Sequence, residues 1–128
     1  MSSYGEIKDS LFATVGDKAI TSSDIVNEIK IILIISDQPY TEDKREELQS
    51  IAVSEVIKRN IKRIEIEKYN SLKFNESDLN DKLVQMANVL NTDLDTFKNI
   101  FIANEIDFSI IIGQIQTELL WNSLIFEL

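Results

Sequence analysis

The C-terminal stretch sets the tightest constraint on how this chain can fold. Ile110, Ile111, Ile112, Ile115, Leu119, Leu120, Trp121, Leu124, Ile125, Phe126 and Leu128 recur at spacings that cover more than one side of a helix. A helix apolar on several sides is normally sandwiched, either in a core or against a partner. The 128 residues have room for one domain, which buries roughly two-thirds of its unfolded surface. A full sandwich around the last helix is hard to build from so few elements. Part of that apolar surface is therefore expected to be open or used in association.

The remaining elements follow from local signals. The first ten residues are polar, so a flexible N-terminal segment is expected at 1–10, with a single helical domain over 11–128. Leu11–Val15 and Lys18–Ile20 read as paired strands, and Gly16-Asp17 as a two-residue turn whose leading glycine suits type II′. Thr21-x-x-Asp24 opens a helix over about 22–36 with Ile25, Ile29 and Ile32 as its buried stripe, closed by Ser36-Asp37-Gln38-Pro39. A long helix is expected from Thr41 to Tyr69, with Val53, Val56, Ile57, Ile61 and Ile64 inward. Its Lys58, Arg59, Lys62 and Arg63 form a solvated basic face, with Glu55–Arg59 and Arg63–Glu67 as i,i+4 pairs. Asn75-x-x-Asp78 starts a third helix with the stripe Leu79, Leu83, Met86 and Leu90. Thr92-x-x-Asp95 starts a fourth with Leu94, Phe97, Ile100 and Phe101, and Asp107 caps the last. The expected class is mainly α: a short N-terminal β-hairpin followed by about five helices.

Composition narrows the chemistry. There is no Cys and no His, so neither a thiolate nucleophile, a His-based triad nor a zinc site is available. The three glycines stand apart, leaving no phosphate-cradling loop. The acidic pairs Glu46/Glu47 and Asp93/Asp95 do not face each other on a helix and suggest neither glycosidase nor EF-hand chemistry. No enzyme activity, cofactor or metal is expected. The net charge of −9, from 13 Lys and Arg against 22 Asp and Glu, disfavours nucleic acid and anionic membranes as partners. No segment approaches the roughly 20 apolar residues of a membrane span. Met1–Glu6 has neither the basic nor the apolar region of a signal peptide. A cytosolic protein and a chain beginning after a cleavage point both fit this.

The segment Ala13–Ile25, a hairpin running through Thr21 and Asp24 into a helix, resembles the opening of SurA-type periplasmic chaperones of the parvulin family. Glu67–Leu79, Met86–Phe97, and Ile106–Ser109 with Ile115 and Leu119 resemble later family motifs in the same order, so the likeness spans residues 11–125. Asn70 and Glu105 stand where the family usually has Gly. Asn tolerates the left-handed region but Glu does not do so cheaply, so the loop before the last helix is expected to differ. Ile111, Ile112 and Gln116 fall where the family carries Arg, which makes the surface less basic.

The resemblance implies a periplasmic peptide-binding domain that holds unfolded outer-membrane protein segments in an apolar groove. The family's parvulin isomerase domains have no counterpart in this chain, which fits a fragment or a stripped-down form. Candidate groove residues are Met86, Phe97, Phe101, Ile112, Trp121 and Ile125. The hairpin edge offers a place for an added strand from a client or a second copy. The alternative is a structural helical module that docks to another domain or dimerises through its C-terminal helix without binding clients.

Overall fold

The computed structural model describes residues 9–127. The mainly helical class with an N-terminal hairpin is what it shows. Strands β1 (Leu11–Val15) and β2 (Lys18–Thr21) are followed by helices α1 (Ser22–Ser36), α2 (Arg45–Ile66), α3 (Glu76–Val89), α4 (Leu94–Ala103) and α5 (Phe108–Glu127). No helix among the described residues is long and apolar enough to cross a membrane.

Val15 pairs with Lys18 across the turn. Gly16 has φ +57° while Asp17 is not among the left-handed residues, the pattern of a type II′ turn. A Cβ on Gly16 would lie 3.0 Å from Ile64 Cδ1, so both backbone angle and space call for glycine there. The register slips between Leu11 and Ala13, a bulge that roughens the open edge of β1. Of the expected flexible segment, residues 1–8 lie outside the described residues. Asp9 and Ser10 are tied down: Ser23 N–H donates to the Asp9 carboxylate at 3.0 Å, and Ser22 N–H to the Ser10 carbonyl at 2.8 Å.

The capping box forms as its residues dictate. Thr21 Oγ1 accepts from Asp24 N at 3.2 Å and Asp24 Oδ2 accepts from Thr21 N at 2.8 Å. The second helix is shorter than its apolar pattern. Thr41 makes no side-chain cap bond, and Glu42–Lys44 form a 3₁₀ turn before α2 begins. At the other end, Lys68 and Tyr69 bond to carbonyls three residues back, which tightens the chain out of α-helical geometry after Ile66. The cap of α4 is Asp93 rather than Thr92, its carboxylate accepting from Thr96 N at 2.7 Å.

Three helices end in the same way. After α1, α3 and α4 the residues Asp37, Asn91 and Glu105 take φ of 54°, 56° and 61°. Each donates its N–H to the carbonyl three residues back, and the next residue bonds to the carbonyl five back: Gln38 to Leu33, Thr92 to Ala87 and Ile106 to Phe101. This is the Schellman pattern, normally built on glycine. The loop before α5 therefore keeps a left-handed residue despite carrying Glu105, contrary to expectation. Buried Ile106 seats against the α4 end and holds it there. Asn70 is not among the left-handed residues.

Two cores result. The larger gathers Phe97, Phe101 and Phe108 with Leu79, Leu83, Ile111 and Ile115 around Ile31. Phe97 meets Phe101 and Phe108 edge-on, with centroids 5.0 and 6.1 Å apart. The smaller is built from Ile20, Ile25, Ala52 and Val56. In α1, Ile29 and Ile32 only flank this smaller core, and Glu28 and Ile31 take the buried places instead. In α2 the buried positions are Leu48, Ala52, Val56 and Asn60, four residues apart, while Ile61 faces outward. In α3, Ala87 is buried, and Met86 and Leu90 pack at the margin.

Candidate peptide-binding surface

Helix α5 shares its residues among three environments. Phe108, Ile111, Ile115 and Leu124 are buried. Ile110, Ile112, Leu119, Leu120 and Trp121 are half-buried. Ile125 and Phe126 are 52% and 93% exposed. The many-sided demand of the sequence is thus met along most of the helix, as far as Leu124, and not at Ile125 and Phe126.

The exposed end borders a trough of about 510 Å³ between α5 and the start of α3, lined by Phe74, Leu119 and Phe126 with Lys73, Asn75, Asp78, Asn122 and Ser123 at its margins. Trp121 and Ile125 lie one turn apart outside the trough lining, on the side of α5 that meets α2, with Lys62 Nζ 5.8 Å from the centroid of the Trp121 ring. Lys62 is held there by Glu118, at 2.8 and 2.9 Å.

The structure divides the expected groove residues. Phe97 and Phe101 are 0% exposed and form the centre of the larger core, so neither faces a groove. Their periodic spacing is that of a buried stripe, and α4 is short enough to turn both inward. Met86 and Ile112 pack on the margin of that core. Trp121 and Ile125 alone accompany the apolar end of α5. Phe74 and Phe126, which line the trough, were not among the expected groove residues, although Phe126 belongs to the apolar excess of the last helix. Phe74 stood in a polar link, and Phe126 near a terminus where periodicity ends.

The expected solvated basic face of α2 is also corrected. Arg59 forms a two-pronged ion pair with Glu28, Nη1–Oε1 2.7 Å and Nη2–Oε2 3.1 Å, nearly closed off from water. Gln114 Nε2 donates to the same carboxylate at 3.3 Å. Arg63 Nε donates to Thr117 Oγ1 at 3.0 Å, and Thr117 in turn donates to the Gly113 carbonyl. Lys58 alone of the four keeps a local partner, Glu55, at 3.9 Å. Packing of α1 and α5 against this side of α2 turns it into a polar seam between helices. No family model, curated protein or solved structure matches this chain.

Proposed function

We propose that this chain is a non-catalytic peptide-binding module of the chaperone type. By its likeness to the SurA N-terminal domain, it would hold unfolded outer-membrane protein segments in the periplasm. The observation that carries the reading is the apolar end of α5, where Phe126 is 93% exposed beside a trough lined by Phe74 and Leu119. An exposed aromatic beside an open apolar trough offers a place where a client's apolar side chain can be buried. Apolar burial contributes about 25 cal/mol per Å², and ordering a flexible client offsets much of it. Affinity should lie at about the micromolar level, with little sequence preference.

NMR titration with an aromatic-rich unfolded peptide should shift the Phe74, Leu119 and Phe126 backbone amide resonances saturably, and Phe126→Asp should weaken binding about tenfold, the effect of withdrawing one large apolar contact. Trough resonances indifferent to peptide, in a protein that stays monomeric at every concentration, would sink the proposal. A proline-isomerisation assay should show no acceleration.

The same exposed end supports a second reading, homodimerisation through α5. Light scattering that shows mass rising with concentration, and reverting in Phe126→Asp, would favour it over client binding.

A further inference from the structure

At the opposite half of α5, a cleft of about 490 Å³ opens between the hairpin turn, α1, α2 and α5. Its charged lining is Lys18, Arg59 and Arg63 against Asp17, Asp24 and Glu28, three of each sign and neutral in sum. Two of the cations are committed. Lys18 Nζ lies 2.6 Å from Glu67, and Arg59 is locked to Glu28. Arg63 is not. Its Nε is used by Thr117, but among the described residues its two Nη groups have neither a hydrogen-bond acceptor nor an ion-pair partner. Burial, and then the charge of Arg59, lower its pKa from the ordinary value, with Asp24, Glu28 and Glu67 acting the other way.

A second group points into the same space. Asn60 is only 8% exposed and lines the cleft, yet its side-chain amide makes no hydrogen bond to any described residue. No fully enclosed side-chain N or O atom lacks a partner, so the Asn60 amide must reach the open space of the cleft. A buried polar group normally has a partner.

Gly113 completes the arrangement. Glycine within a helix costs about 1 kcal/mol relative to alanine. Packing does not demand it, since an added Cβ would meet nothing nearer than Arg63 Nη2 at 3.8 Å. What a larger side chain would fill is the cleft itself.

We infer that this cleft binds a carboxylate, gripped by the free Nη fork of Arg63 and the amide of Asn60. The planar fork matches two carboxylate oxygens. A single negative charge also suits the lining, because a phosphate dianion would sit beside Asp24 and Glu28 with only one uncommitted cation to offset it. The carboxylate is either that of a small free acid or the C-terminus of a peptide. This site stands apart from the apolar trough, and its fate does not depend on the peptide-binding proposal.

The test is NMR titration of the whole chain, following the Asn60 side-chain amide and Arg63 Nε resonances. Acetate should shift both saturably below about 0.1 M, and inorganic phosphate should bind more weakly. Asn60→Ala and Gly113→Leu should each weaken acetate at least about tenfold, the loss of one charge-assisted bond or of the space. Circular dichroism checks that each variant keeps its fold, and Gly113→Leu leaves every charge in place. A peptide with a free C-terminus that shifts the same resonances, while its C-terminal amide does not, assigns the carboxylate to a chain end. Acetate binding with neither peptide acting assigns it to a small acid. Absence of saturation, phosphate binding tighter than acetate, or equal acetate affinity in both variants would overturn the inference.

Discussion

The two cores of this molecule hold together by different means. The larger is a closed aromatic cluster in which Phe97 meets Phe101 and Phe108 edge to face, those two being tilted to each other, with aliphatic side chains filling the periphery. The smaller, beneath the hairpin, has only Ile20, Ile25, Ala52 and Val56 fully inside. It borders the buried Glu28–Arg59 pair and the polar cleft. Apolar area dominates the first, and hydrogen-bond geometry fixes the alignment of helices beside the second. Shape tolerance should differ accordingly, since an apolar core loses energy in proportion to the volume removed, whereas a polar seam fails when one partner is left alone.

The largest effect should come from the aromatic side. Phe101→Ala should lower unfolding free energy by about 3–5 kcal/mol, read from urea denaturation. A loss below 1 kcal/mol would show that the cluster does not anchor the fold. Next, Arg59→Met should cost about 3 kcal/mol by stranding Glu28, whereas Arg59→Met combined with Glu28→Leu should recover most of it. If the double variant is as unstable as the single, the ion pair contributes net stability and not alignment alone.

Smaller and opposite in sign is the effect of Glu105→Gly. The left-handed conformation costs a side-chain-bearing residue about 1–2 kcal/mol, and the added freedom of glycine in the unfolded chain offsets part of it. A net gain of about 0.5–1 kcal/mol in thermal or urea unfolding is expected, and Asn91→Gly should gain less because Asn tolerates that region.

The smallest effect concerns acid. The N–H groups of Thr96 and Ser109 hold the Asp93 and Asp107 carboxyls below their ordinary value of 3.8. A carboxyl with a depressed folded-state pKa stabilises fully above the unfolded value, and that contribution is lost as pH falls through the folded one. Asp93→Asn with Asp107→Asn keeps both caps but removes the titration. The variant's stability should fall less steeply than the parent's below about pH 4, and parallel acid limbs would refute the assignment. Both caps flank the aromatic core, so the effect belongs to that half.

What the sequence made legible was local. The hairpin turn, the Thr21–Asp24 box and the limits of α1 depend on neighbours within a few residues, and they came out as read. The polar seam did not. Arg59 had Glu55 one helical turn away, yet it took Glu28, 31 residues distant, because α1 and α2 pack side by side. The same limit applied to the candidate surface. Spacing showed that α5 carries more apolar side chains than one face can hide, but not which would be left outside. Phe97 and Phe101 were equally apolar and went inside, while Phe126, beside the start of α3, stayed outside.

The turn at residue 105 ties two things together. Its left-handed angle is not one glutamate prefers, and the bend between α4 and α5 is kept by the Ile106 N–H donating to the Phe101 carbonyl while the Ile106 side chain is buried in the larger core. One residue thus serves both the joint and the aromatic cluster, so shrinking Ile106 should loosen the angle between the two helices and the packing beneath it at once.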